Sequence, residues 1–483
     1  MKPIRIFLLL FFLFLFFGLS SILIPDREIT VSKGFAVRLP SLRPVFFPVE
    51  TNYANIASIL NQQRTDTDSV VRITKKGILH KQDTASVKLS SQPIEYPGGD
   101  KSILFSFFRV LEESGRGSSG IHILHYGDSQ LEGDRITDYL RSRFQSEFGG
   151  GGPGLLPPGE ETYRLSIIAS TSDNWSRNNL MGTRFKNQGS HPYGILGSYF
   201  RFGSSPRDSA GNTRKYPESW ITFTGKKYAA TGANEYHRCR IFYGNSRQPV
   251  RMSFFVAENK IKTDTLKSSA GLQEYDLPLN ETPPSLTIRF TGADSPDFYG
   301  ICLDSPGGVS VDNIPIRGSS GLEFTRMDPA VLISMYRALN ARLLILQFGV
   351  NVVPSEADDF TFYGNSLYVQ LCQLKRLDPD LSIIVIGVSD ASRKNGDTYE
   401  SYPSVEKILA AQKAAALKAG CAFWDLYSAM GGKNSMPSWV LAKEPLATTD
   451  FLHFNYSGAR IVGKMFYSAL INDYNEFIRS LPQ

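Results

Sequence analysis

Five residues in this chain have the types, and stand in the contexts, that attack on a carbonyl requires: Ser129 in HYGDSQLEGD, Gly318 in IRGSSG, Asn351 in FGVN, and Asp450 and His453 in DFLH. A serine hydroxyl is a weak nucleophile until a base takes its proton, and histidine is the side chain whose ordinary pKa suits that task near neutrality. His453 is the only histidine after residue 237, so a base in the C-terminal half has to be this one. Asp450, three residues earlier, is spaced to accept the Nδ1 proton and fix the tautomer. Backbone N–H groups and a side-chain amide such as that of Asn351 are the kinds of donor that could meet the charge that builds on an attacked carbonyl oxygen. Each residue also has a plainer reading. Serine between a strand and a helix is a favoured cap; Gly318, with Gly321 as its rival, serves a turn; Asn351 suits an Asx turn; a lone histidine usually belongs to the core.

What has to position these groups is a set of strand ends. IHILHYGDS, GVSVDNIPIRG, RLLILQFGVN, SIIVIGVSD and CAFWDLYSA are apolar, β-rich runs. Between or after them lie the helical stretches QLEGDRITDYLRSRFQSEF, MDPAVLISMYRAL, YGNSLYVQLCQLKRL, SVEKILAAQKAAALKAG and YSGARIVGKMFYSALIND. Such alternation predicts a parallel five-stranded sheet covered on both faces. Functional groups of open parallel sheets collect beyond the carboxyl ends of the strands, and four of these ends carry the five residues. Ser129 is then expected at the first position of its helix, in the positive end of the dipole. His122 and His125, on the first strand at opposite parity, read as structural, and Asp128 as a buttress of the turn. Trp424 and Trp439 suit either the core or the wall of a substrate cleft.

This set, in this order, resembles the GDSL or SGNH hydrolase family. The resemblance implies a flavodoxin-like three-layer α/β/α sandwich, with Ser129, Asp450 and His453 as catalytic residues and Ser129, Gly318 and Asn351 as the oxyanion hole. Two positions depart from the family pattern: Gln130 stands where the family's name has leucine, and Val352 where an aspartate often follows the asparagine. The stretches GVSVDNIPIRGSSG and TTDFLHF, with β-rich sequence between the serine and glycine motifs, are similar to bacterial peptidoglycan O-acetylesterases. The resemblance covers residues 101–478 and implies a serine esterase removing O-acetyl groups from an envelope or extracellular polysaccharide, most readily peptidoglycan. An O-acetyltransferase using the same site, and a glycan-binding protein with a vestigial esterase site, are the alternatives.

Residues 160–306 change texture, with short β runs such as SWITFTG, RCRIFYG and SLTIRFTG separated by turn residues, as in a β-sandwich. The expected division is 101–158 and 307–483 for the hydrolase, with an inserted, carbohydrate-binding-like sandwich over 159–306. Trp175 and Trp220 within it suit either sugar stacking or the core. Residues 26–100 lack sustained periodicity and read as a spacer; KSILFSFFRVLEES follows as an amphipathic helix capped by Asp100.

The first 25 residues read as an uncleaved signal anchor or a cleaved signal peptide. Lys2 and Arg5 precede a charge-free apolar run over 6–24, close to the roughly 20 residues that span a bilayer. Either way the protein is exported, with everything after Arg27 on the periplasmic or extracellular face. The net charge of +6, from 52 basic and 46 acidic residues, comes without the concentrated basic face of a nucleic-acid binder. The four cysteines show no C-x-x-C spacing, so neither a metal nor a cofactor is expected. Cys239 and Cys302 are read either as a pair or as free thiols, and Cys372 and Cys421 as buried apolar positions.

Overall fold

The computed structural model describes residues 3–23, 28–32, 35–38, 51–65, 92–114, 120–160, 162–182, 191–203, 217–226 and 232–482. Its central sheet contains β1 (Ile121–Gly127), β2 (Val309–Pro315), β3 (Ala341–Gln347), β4 (Ser382–Ile386) and β5 (Ala422–Trp424), all parallel, in the order β2-β1-β3-β4-β5. That is the doubly wound order of flavodoxin-like folds. The antiparallel strand Ile94–Glu95 closes the β5 edge.

Side chains of β1 alternate between two cores, as strand geometry requires. Ile121 and Ile123 pack with α1 (Phe105–Ser114), α2 (Thr137–Phe148) and α6 (Tyr456–Ser480). Leu124 and Tyr126 pack with α3 (Pro329–Leu339), α4 (Thr361–Leu377), α5 (Ser404–Lys418) and the β-rich region. The result is a three-layer α/β/α sandwich. Helix boundaries follow local chemistry: Asp328 accepts from the N–H groups of Ala330 and Val331 to start α3 at Pro329, and Asn340 ends it in a left-handed conformation,. Asp100 accepts from Ser102 N–H, opening a 3₁₀ turn (Lys101–Leu104) that leads into α1.

Between α2 and β2 the chain forms two antiparallel sheets. In one, Glu218–Gly225 pairs with Ser285–Thr291 and Ile167–Thr171; in the other, Arg238–Gly244 pairs with Gln273–Pro278 and Asp297–Asp304. Their inner faces share an apolar core that includes Ile221, Phe290, Ile241 and Phe298 and continues into the α3–α5 side of the central sheet. Gly154–Leu156 pairs with Asp297–Asp304, so the insertion engages the chain before residue 159. Trp175 is half-buried and packs edge-on against Phe202, Phe290 and Phe298 at the margin of this core; Trp220 is likewise half-buried.

The stretch read as a spacer over 26–100 contains regular structure among its described residues, including the antiparallel strand pair Glu28–Ser32 and Phe35–Arg38. Ile94–Glu95 is a sheet strand, and the helix Ala57–Thr65 follows Ile56, which is buried with Ile59 in the α1–α2–α6 core. Residues 66–91 lie outside the described residues. The helix Pro3–Leu23 contains a 19-residue apolar span, Ile4–Ile22, long enough to cross a membrane and not buried against the protein.

Candidate active site

Ser129 sits two residues beyond β1, at a turn so tight that a Cβ on Gly127 would come within 2.7 Å of Gln347 O and of the Leu131 side chain. The turn is capped by Asp128, which accepts from Gln130 N–H at 3.0 Å. Ser129 does not begin a long helix. It starts a 3₁₀ segment, Ser129–Asp134, that breaks at Glu132 and at Gly133 (φ 69°), and α2 begins only at Thr137. The expected dipole contribution from α2 is therefore missing at Ser129, because that helix starts eight residues later.

The Ser129 hydroxyl is 2.8 Å from His453 Nε2, and His453 Nδ1 is 2.7 Å from Asp450 Oδ2. The other Asp450 oxygen accepts from the Thr448 hydroxyl (2.6 Å) and the N–H groups of Leu452 (3.0 Å) and His453 (3.1 Å). Burial pushes the Asp450 carboxyl up, but the hydrogen bonds from Thr448, His453 and Leu452 outweigh it and hold the group at about 2,. Asp450 is thus ionised across the neutral range and able to fix the imidazole tautomer. The loop carrying both residues is itself pinned: Phe451 adopts φ 57° and stacks on Tyr399 with ring centroids 3.5 Å apart.

The donors lie on neighbouring strand ends. Asn351, just past β3, donates from Nδ2 to Ser319 O at 2.9 Å, which leaves the second amide hydrogen free. Gly318, past β2, is exposed at φ 81°. Among the described residues neither its N–H nor that of Ser129 has an acceptor. No hydrogen bond joins Gly318 directly to Ser129 or Asn351; the link runs through its neighbour Ser319. The rival Gly321 is buried, with a Cβ position 2.9 Å from the Phe348 ring, a packing requirement.

The structure superposes on a solved peptidoglycan O-acetylesterase over 77% of this chain and 96% of that chain, with a TM-score of 0.61 at 21% identity. The chain has the SGNH hydrolase fold. A family two carbohydrate esterase from Clostridium thermocellum in complex with cellohexaose (9% identity, 53% of this chain and 92% of that chain, TM-score 0.23) also matches. So does an acetyl xylan esterase (17%, 34% and 81%, 0.27); neither score carries an argument. No family model and no curated protein matches the sequence.

Two residues outside the expected set bind the two halves of this candidate site together. Gln130 is 2% exposed and donates from Nε2 to Leu452 O (2.8 Å) while its Oε1 accepts from Phe454 N–H (3.2 Å). Arg135 donates to Phe454 O (2.8 Å) and to Ser129 O (2.9 Å). The departure from leucine at position 130 was the available signal for the first; nothing in the sequence marked Arg135.

The remaining candidates fall into place elsewhere. His125 is buried between Thr137 and Gln347, and His122 between Asp312 and Asp304. His122, Cys302 and Asp312 bring possible ligand atoms within 4.8 Å of one another, a grouping that sequence spacing did not reveal. A guanidinium nitrogen of Arg240 lies 3.0 Å from His122 Nε2, so a cation there would meet a fixed positive charge. Trp424 and Trp439 are fully buried in the core. Cys239 and Cys302 are free. Cys239 faces Leu303 across the strand pair and Cys302 faces Arg240, which puts the two thiols on opposite faces of the sheet. Cys421 is buried, and Cys372 is half-buried rather than buried.

Proposed function

We propose that this protein is an exported serine esterase that removes O-acetyl groups from an envelope polysaccharide, with peptidoglycan as the leading substrate and an N-terminal membrane helix as its anchor. The observation that carries the reading is the unbroken chain Ser129 Oγ–His453 Nε2 (2.8 Å) and His453 Nδ1–Asp450 Oδ2 (2.7 Å). It is supported by the fold shared with a peptidoglycan O-acetylesterase.

In the first half-reaction His453 Nε2 takes the Ser129 proton as Oγ bonds to the acetyl carbon. The carbonyl oxygen becomes an oxyanion facing the N–H groups of Ser129 and Gly318 and the free amide hydrogen of Asn351. Collapse breaks the ester C–O bond, and the His453 proton goes to the departing sugar oxygen, leaving acetyl-Ser129. Water then gives a proton to His453 and its oxygen to the acyl carbon. The second collapse returns that proton to Ser129 Oγ and releases acetate. Asp450 stays ionised throughout and balances the imidazolium.

The test is acetate release from O-acetylated peptidoglycan compared with acetylated xylan, using wild type and Ser129→Ala. Release from peptidoglycan that Ser129→Ala abolishes is the expected outcome. Retention of more than a few per cent of wild-type turnover in the variant would remove the nucleophile from the scheme, and preference for xylan would move the substrate.

A further inference from the structure

A cavity of about 550 Å³ opens at the seam between the central sheet and the insertion. Its lining includes Ile121, the first residue of β1, together with Asn340 and Arg342, which flank the first residue of β3. It therefore lies at the amino ends of the strands, opposite the Ser129 end. With seven residues in β1 at roughly 3.3 Å each, it is about 20 Å from the nucleophile.

Four arginines line this hollow: Arg238 and Arg240 from the insertion, Arg337 from the last turn of α3, and Arg342 from β3. Glu113 is the one carboxylate among the lining residues. Asp304 already serves both insertion arginines, Arg238 at 3.0 Å and Arg240 more closely. Arg337 and Arg342 have no carboxylate partner among the described residues. Arg240 is 2% exposed, and its Nε–H and that of Arg342 are buried without an acceptor. A last-turn arginine complements a helix dipole, which accounts for Arg337 but not for four guanidinium groups around one hollow. Cations gathered in a partly enclosed space repel one another and lose hydration, a cost that an entering anion offsets.

We infer that this cavity binds a multivalent oxyanion whose phosphate or carboxylate groups engage the guanidinium groups of Arg337 and Arg342. Planar guanidinium donors match both kinds of group bidentately. The volume falls within the roughly 300–1,000 Å³ of small-molecule sites, room for a ligand the size of a sugar phosphate or a tricarboxylate. The site is separate from Ser129 and stands whether or not the esterase reading does.

The test is calorimetric titration of the full-length chain in detergent with inorganic pyrophosphate and, separately, with citrate, at ionic strength held constant with potassium chloride. Saturable one-to-one binding of at least one probe, weakened tenfold or more in Arg337→Gln/Arg342→Gln, is expected; the probe that binds tells phosphate from carboxylate recognition. Arg337→Glu is run beside it, because Arg337 is exposed and its replacement reverses one of the four charges at only a small cost in thermal stability,. No saturable binding of either probe, or wild-type affinity in a folded Arg337→Glu protein, overturns the inference.

Discussion

Gln130 holds the backbone on both sides of His453: its amide donates to Leu452 O at 2.8 Å and accepts from Phe454 N–H at 3.2 Å. The residue next to the nucleophile thereby sets where the base stands, and Arg135 repeats the connection by donating to Ser129 O and Phe454 O. The 2.8 Å contact between Ser129 and His453 is a consequence of these ties as much as of the two side chains themselves.

Replacing Gln130 with leucine, the residue in the family's name, is therefore expected to lower activity rather than restore it. The bracket is lost, Leu452 O and Phe454 N–H are left buried, and a displacement of about 1 Å at the base can cost about 10²-fold in rate. Turnover of a small acetyl ester should fall with little change in KM. Gln130→Glu, which still accepts from Phe454 but cannot donate to Leu452 when ionised, should fall between the two. Equal turnover in all three proteins would make Gln130 a packing residue.

Asn351→Ala should cut turnover by about 10²–10³-fold while KM moves little, because the amide hydrogen acts on the oxyanion and not on the ground-state ester. The loss of its bond to Ser319 O should appear separately, as a small decrease in thermal stability. Steady-state kinetics with one acetyl ester decides the point: a rise in KM at constant turnover would make Asn351 a binding residue.

Asp128 gives the active-site turn a pH signature. Burial raises its carboxyl from 3.8 to about 6, with the N–H groups of Gln130, Val350 and Gly349 and the His453 imidazole working the other way,. A folded-state pKa above the unfolded one means that the folded chain holds this proton more tightly. Its contribution to stability is full below about pH 3.8 and lost as pH rises through about 6. Asp128→Asn removes that dependence. The stability of the variant relative to wild type should rise by about 3 kcal/mol between pH 3.5 and 7.5, at 1.36 kcal/mol per pKa unit. Urea titrations at the two pH values measure it, and a difference that does not change with pH contradicts the assignment.

The five parallel strands were legible because each is an apolar run bounded by turn residues; the structure brings Ser129, His453 and Asp450 together, although Asp450 and His453 stand in the loop before α6 rather than at a strand end. What escaped the sequence has physical causes. The edge strand Ile94–Glu95 is too short to show a period. The region after Ser129 reads as helix from composition, but Gly133 takes φ 69° and breaks it. The partners of His122, Asp304 and Arg240 are up to 190 residues apart in the chain, and nothing local announces such a pairing. Gln130 was visible as a departure from a pattern, yet its role depends on a loop 322 residues away.

That long-range network decides how the insertion should respond to surgery. Taken as a separate module, residues 159–306 would be removable, leaving a working hydrolase. The structure joins them to the central sheet through buried charges instead: His122 in β1 meets Asp304 of the insertion at 3.1 Å and Asp312 in β2 at 2.6 Å. Arg240 donates to Ala338 O (2.8 Å) and Arg164 to Asn313 O (3.0 Å). Burial pushes the Asp304 carboxyl up, but His122, Arg240 and Arg238 together hold it well below the usual carboxylate range. Its contribution to stability is therefore present above about pH 3.8 and lost as the pH falls below that. Removing one partner from a buried pair costs about 3–5 kcal/mol because the others stay buried and uncompensated. Asp304→Ala is accordingly expected to destabilise the hydrolase sheet and the insertion together, in one calorimetric transition, and replacement of 159–306 by a Gly/Ser linker to abolish folding and small-ester hydrolysis alike. Two separate transitions in the wild type, with Asp304→Ala shifting only one of them, would show instead that the insertion folds on its own.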